Sequence, residues 1–357
     1  MTFLDLARYR LSNQQIARPK HQNPSDLVAC MGGIQAQDYL GALWAIGLRL
    51  PKATEPEIER AAADRLIVRT WPMRGTLHWV AAADVRWMLK LLTPRASATT
   101  RFLKYEIDTD TLRRCEKALV RSMQKGAQLT REEIFTVLSC AGVSVAGQRG
   151  YHILWRLAQE GLICFGSRRG KQPTFVLLDE WVPKERNRER DEMLAELAHR
   201  YFVSHGPATV QDFAWWSGLK VSEAKAVVED AAPRLAQEVI GGQSYWVSRD
   251  ISVRSEASPT LHLLPGFDEY LLGYEDRSVV LDAKHTSKVL LSNNGRFLPM
   301  LVIDGRVAGT WVRMIKRKSV TITADPFRSL KNQEAGMLVA AAERYSQFLG
   351  LPLELSG

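Results

Sequence analysis

The sequence predicts an α+β fold in which tandem helix-turn-helix units, each closed by a β-hairpin, precede a β-rich, barrel-like domain. Three observations carry this. A helix, turn, helix, hairpin order is plain from Thr130 onward and returns twice in looser form. After Pro259 the pattern changes to short β-rich runs broken by Gly, Pro and Asn. No low-complexity linker separates these stretches, as befits repeated units joined into one rigid, curved scaffold.

The clearest unit lies within residues 106–180. Thr130 with Glu133 three residues later is a capping box that opens a helix. A Gly-rich turn follows at Gly142 and Gly147. A second helix, roughly 149–160, then places Ile153, Leu154 and Leu157 on one face. "LICFG" and "TFVLL" are β-rich runs around the polar tip "SRRGKQ". This is a winged-helix pattern, so the fold class is tandem winged-helix repeats with a C-terminal β-rich domain.

Residues 1–105 form the first unit. It comprises an N-terminal amphipathic helix, the segment "GIQAQD", a helix from Glu55 to Ala63, and the strands "RLIVRTW" and "GTLHWV" joined through Pro72. Residues 181–257 form the third. A long helix runs to about Ser204, a break follows at "HGPAT", and helices come at "VQDFAWW" and from Ser222 to Asp230. Two short runs meet at Gly241-Gly242. Residues 258–357 form the β-rich domain, where Asp-Gly inside "IDGRVAGTWV" signals a hairpin and a helix from about Gln333 to Leu349 closes the chain.

Composition excludes several classes. With 46% apolar and 24% charged residues the chain is an ordinary globular one, not a disordered one. No apolar stretch approaches a membrane span of roughly 18 residues. The first residues carry charges through their apolar positions, unlike a signal peptide. The four cysteines form no C-x-x-C pair and the seven histidines no H-E-x-x-H, so neither a disulfide framework nor a metal site is expected. The expected setting is the cytoplasm, with no cofactor.

Charge is unevenly placed. Residues 1–180 hold 26 Lys and Arg against 17 Asp and Glu, while residues 181–357 are balanced at 22 each. The whole excess of +9 therefore sits in the first half, where it suits a polyanion or simply a soluble basic face.

Gln35 and Gln37 flank Ala36 in an otherwise apolar run, with Asp38 behind them. Glutamine is mostly a surface residue, and a buried amide without partners costs about 1–3 kcal/mol. In "RTWPMRGTLHWV", alternation on a strand would put Arg74, Thr76 and His78 on one face. That face is either a site for a phosphate or sugar edge, or a half-exposed strand surface. The tips Arg168, Arg169, Lys171 and Lys316, Arg317, Lys318 suit phosphate contacts. Asp268, Glu269, Asp276 and Arg277 are expected to form an ion-pair cluster that fixes the β-domain.

"GIQAQD", "RTWPMRGTLHWV", "LLPGFDEYLLGYEDRS" and "LVIDGRVAGTWVR" occur in that order. Together they resemble the winged-helix DNA glycosylases of the AlkZ and YcaQ type, which unhook interstrand crosslinks. The Gln-x-Gln form points to the AlkZ-like branch. The resemblance implies three winged helices lining a basic channel, a C-terminal β-domain, and catalytic roles for Gln35 and Gln37. It assigns none to Asp38. The implied partner is double-stranded DNA bearing alkylated purines, bound by a nucleoid-associated monomer. The competing expectation is a non-enzymatic winged-helix regulator or damage sensor.

Overall fold

The N-terminal stretch folds with the C-terminal part of the chain and not with its sequence neighbours. The computed structural model describes residues 2–93, 105–184, 187–249, 259–291 and 295–355. Its contacts define two compact units, Met1–Glu59 with Ala195–Gly357, and Arg60–Leu194. These cut across the four segments expected from sequence. Residues 1–105 divide at Glu59, residues 181–257 divide at Leu194, and the expected boundary at 257–258 lies outside the described residues. The chain mixes helices and strands, with a curled half-barrel sheet.

In the first unit, local capping chemistry fixes the helix starts. Thr2 and Asp5 make a capping box on the helix Phe3–Asn13, and Thr209 and Asp212 make another on Val210–Ser217. Pro24 opens the helix Pro24–Met31, whose first turn is capped by Asn23. The helix Val221–Ala231 leads to a hairpin, Leu235–Ile240 with Gln243–Ser248, which reverses at Gly241 and Gly242, both at positive φ. Among the described residues a five-stranded sheet runs in the order Leu353–Leu355, Val320–Pro326, Arg306–Ile315, Met300–Ile303, Leu261–Leu264. Its central hairpin turns at Asp304 (φ 48°) and Gly305 (φ 84°), the backbone that an Asp-Gly pair adopts most readily.

One helix is apolar on every side. Tyr39–Leu48 buries all of its residues from Gly41 to Leu48, and a helix of that kind belongs inside a domain. Trp44 lies 4.9 Å from Tyr345 and 5.1 Å from Phe348, both on the helix Asn332–Leu349. A Cβ at Gly47 would overlap the Phe348 ring, so that position stays small. The Trp44 and Trp311 indoles donate to the carbonyls of Leu263 and Leu264, which satisfies both buried N–H groups.

In the second unit, the helix Thr109–Met123 is followed by the strand Leu129–Thr130, helices Arg131–Cys140 and Arg149–Gln159, and strands Ile163–Phe165 and Thr174–Leu177. Thr174–Leu177 lies between the other two strands and pairs antiparallel with each. The Thr130–Glu133 capping box is present. The N-terminal hairpin of this unit corrects the sequence expectation. Pro72 lies inside the strand Ile67–Met73, where the pairing with Thr76–Ala81 slips, and the chain reverses at Arg74 (φ 52°) and Gly75 (φ 70°). A two-residue turn that matches strand twist needs positive φ at both positions. Gly75 adopts it freely, and a Cβ there would stand 2.8 Å from the Trp155 ring.

His262, on the strand Leu261–Leu264, gives the first unit a built-in response to acid. Burial pushes its imidazole down to about 4, with Arg344 adding to the effect, and among the described residues its Nε2 has no partner. The unfolded chain takes up this proton below about 6.5 while the native protein does not. Stability is therefore full above that pH, falls as pH drops towards 4, and levels off below, for a total of at most about 3 kcal/mol. Denaturant midpoints of wild type and His262→Gln, measured from pH 7.5 to 3.5, should converge as pH falls through this window. Parallel curves would show that His262 does not titrate in this way.

Candidate active site

The glutamine segment begins where the helix Pro24–Met31 ends. Gly32 (φ 69°) caps that helix in the left-handed conformation, and Gly33 (φ 131°) turns the chain into Ile34. A Cβ on Gly32 would come within 2.9 Å of the Trp216 ring, so the backbone passes close against the indole. Ile34 and Ala36 are wholly buried, Gln35 is 8% exposed, and Gln37 lies exposed. The two amides therefore differ, one set into the unit and the other facing outward. Asp38 occupies the N-cap position of Tyr39–Leu48 without a capping bond from its side chain. It pairs with Arg313 at 3.1 Å, which ties the end of the segment to the sheet.

Beneath the segment lies Glu269, fully buried. Its Oε1 accepts the backbone N–H of Gln35 at 2.9 Å, and its Oε2 accepts the Trp216 indole N–H at 3.0 Å. The imidazole of His205 stands 3.5 Å from the same Oε2 and stacks on Tyr201 at 4.8 Å. Burial lowers the His205 pKa, against the opposing pull of the Glu269 carboxylate. Its Nδ1 lies 2.8 Å from the Ser204 hydroxyl, which donates to the Arg200 carbonyl.

Asp268, one residue earlier, has a different partner. Arg49 grips both of its oxygens, at 2.9 and 2.7 Å, with both side chains wholly out of solvent. The remaining Arg49 donors reach the Ala45 carbonyl and the backbone and side-chain oxygens of Gln14. The expected cluster of Asp268, Glu269, Asp276 and Arg277 is thus not one group of mutual ion pairs. Asp276 accepts from Ser278, and Arg277 lies over Trp215 and Phe297 while donating to the Leu271 carbonyl.

The remaining candidates divide between the units. Gln35, Gln37, Lys316, Arg317 and Lys318 belong to the first, and Arg74, Thr76, His78, Arg168, Arg169 and Lys171 to the second. Arg74 sits in the hairpin turn, so it does not share a strand face with Thr76 and His78. His78 is wholly buried, its Nδ1 3.0 Å from the Thr76 carbonyl, so it offers no open edge to a ligand. Arg169 pairs with Glu133 at 2.7 Å and donates to the Gln128 carbonyl, which braces the tip against the capping box. Lys171 is exposed. Arg168 is half-buried and donates to the Lys171 carbonyl. Lys316, Arg317 and Lys318 form the exposed turn between two strands of the five-stranded sheet, with Lys316 bound to Glu354 at 2.7 Å.

Sequence reasoning missed Trp216 and His205 altogether and gave Glu269 the wrong partners. The Gln35–Glu269 bond joins residues 234 apart, and no periodicity reports a backbone N–H as the target of a remote carboxylate. Among the described residues, no group of three or more His, Cys, Asp or Glu side chains lies where it could hold a metal ion, and no helix is long and apolar enough to cross a membrane.

The family description "DNA glycosylase AlkZ-like" matches residues 28–348, a span that contains both glutamines and the Asp268–Glu269 pair. The chain belongs to the AlkZ-like DNA glycosylase family. This AlkZ-like chain is 28% identical over 327 residues to the interstrand DNA cross-link repair glycosylase of Streptomyces sahachiroi, covering 85% of each protein. It is also similar to the solved structure of the S. sahachiroi DNA glycosylase AlkZ, with a TM-score of 0.81 and 25% identity across the full length of both.

In this AlkZ-like chain the Arg49–Asp268 pair should be the least replaceable polar contact of the first unit. Removing one member of a buried pair leaves the other charge uncompensated, at a cost of about 3–5 kcal/mol. Equilibrium denaturation of Arg49→Met should show a loss of that order. A loss below about 1 kcal/mol would show that the unit does not depend on the pair.

Proposed function

We propose that the chain is a DNA glycosylase that hydrolyses the N-glycosidic bond of N7-alkylated purines in duplex DNA, including those that link the two strands. The observation that carries this reading is the Gln-x-Gln segment of an AlkZ-like chain, with the backbone of its first glutamine bound to a fully buried carboxylate. The similarity to a cross-link repair glycosylase supports the choice of lesion.

A glutamine amide has no useful pKa and cannot act as a strong general base. N7-alkylation removes most of the need for one. The alkylated purine is cationic, so the C1′–N9 electron pair leaves readily into the base and the sugar becomes oxocarbenium-like. Water held by a glutamine carbonyl oxygen then adds to C1′ and gives up a proton to solvent. Positioning, and a carbonyl dipole aimed at the developing positive charge, are what the amides supply. Because water and not an amine of the chain is the nucleophile, the product is an abasic site in an unbroken strand.

We read the helix, strand, helix, helix, hairpin order of residues 109–177 as a winged helix, with looser relatives in residues 1–105 and 181–257. The basic tips at 168–171 and 316–318 serve as phosphate contacts. The protein acts as a monomer in the cytoplasm, at the nucleoid.

Single-turnover release of base from a duplex carrying one N7-methylguanine tests the reading. Gln35→Ala or Gln37→Ala should slow release by about 10²–10³-fold while leaving duplex affinity within roughly 3-fold, as expected for groups that act in the transition state. Release at the wild-type rate by the double variant would overturn the assignment and leave a DNA-binding protein without this chemistry.

A further inference from the structure

We propose that Glu269 is a positioning residue for the Gln-x-Gln segment: its carboxylate, oriented by Trp216, fixes the Gln35 backbone and so the direction in which both amides point. The catalytic consequence rests on the glycosylase reading, whereas the anchoring can be tested without it.

The segment enters through Gly32 and Gly33, two residues with wide backbone freedom, so something beyond local conformation must fix its path. Its far end is held by the Asp38–Arg313 pair. At its centre the bond from Gln35 N–H to Glu269 Oε1 is made by backbone and is therefore independent of the side chain at 35. Glu269 serves two donors from opposite sides, one oxygen each. Only a carboxylate can accept on both sides, since a glutamine in its place has one oxygen and presents an NH2 to the other donor. Aspartate carries both oxygens but is one methylene shorter.

Trp216 sets the carboxylate's orientation. Its ring is wedged between the Gly32 backbone, Tyr201 at 5.0 Å and His205 at 5.3 Å, so its N–H has a fixed direction. His205 completes the surroundings of Oε2. With its Nδ1 proton directed at Ser204, whose hydroxyl is committed to the Arg200 carbonyl, its Nε2 presents a lone pair towards Glu269. That lone pair would accept from an NH2 group placed where Oε2 now stands. Asp268 instead pairs with Arg49 and accepts the Tyr270 N–H on Oδ1, capping the short helix Glu269–Leu272 that carries Glu269.

The donor count predicts an unusual epistasis. Glu269→Gln can satisfy only one of the two N–H groups: with its oxygen kept on the Trp216 indole, its NH2 meets the Gln35 N–H and the segment loses its anchor. Base release from N7-methylguanine duplex should slow by on the order of 10²-fold, the effect of a displacement near 1 Å, with duplex affinity within roughly 3-fold. Trp216→Phe alone should slow release by roughly 10-fold or less. Added to Glu269→Gln, it should restore release by about 10-fold, because the glutamine oxygen then turns to Gln35 and its NH2 to His205.

Hydrogen exchange of residues 33–38 is the second readout. Protection there should fall at least about 10-fold in Glu269→Gln and rise again in the double variant, yet stay at the wild-type level in Gln35→Ala. Unchanged protection and rate in Glu269→Gln, or a double variant worse than either single one, would overturn the proposal. If Glu269→Gln does not fold, Trp216→Phe decides: a measurable loss of protection at 33–38 supports the anchor, and none overturns it. Wild-type protein that releases no base would overturn the glycosylase reading, and the exchange data alone would then judge the anchor.

Discussion

The first unit is organised around the buried guanidinium of Arg49. Arg49 directs all five of its N–H donors to oxygens: two to Asp268, two to Gln14 and one to the Ala45 carbonyl. Gln14 in turn donates to Tyr274 and to the Glu269 carbonyl. The end of the first helix, the end of the apolar helix and the segment after the first strand of the curled sheet are thereby fixed to one another. A pair of this kind gives little net stability over an apolar replacement, but either partner alone is strongly unfavourable.

The candidate active site is built on that constraint. Once Asp268 is held by Arg49, the next residue has little freedom, and Glu269 points at Gln35 and Trp216. Trp216 comes from a helix whose start is fixed by the Thr209–Asp212 capping box, and Asp212 itself lies 3.6 Å from the buried Arg10. The glutamine segment, short and entered through two glycines, is thus held at Gln35 and at Asp38 by polar groups from distant parts of the chain.

Much of the secondary structure was legible because its signals are local. The Thr130–Glu133 box, the Asp-Gly turn at 304–305 and the Gly-Gly turn at 241–242 each act within four residues. The hairpin at 67–81 is legible, but Pro72 signals a reversal that Arg74 and Gly75 make instead. An arginine in the left-handed region is not something composition announces, and with Arg74 in the turn only Thr76 and His78 share that strand. His78 was legible as a residue in a strand, but its complete burial was not, since alternation says which residues share a face and not what covers that face.

The sequence by itself determined the Thr130–Glu133 capping box, the turns at 241–242 and 304–305, the Gln-x-Gln motif and the concentration of positive charge in residues 1–180, because all of these are properties of neighbouring residues. Tertiary structure alone decided that residues 1–59 fold with residues 195–357, that Asp268 belongs to Arg49 and Glu269 to Gln35, and that one glutamine is buried while the other faces outward. The reason is range. Capping and turn formation are settled by bonds within a few residues, whereas the partner of a buried carboxylate is chosen by whichever donors the whole chain brings to it. Asp268 and Glu269 are adjacent acids with near-identical chemistry, and only the packed interior tells them apart.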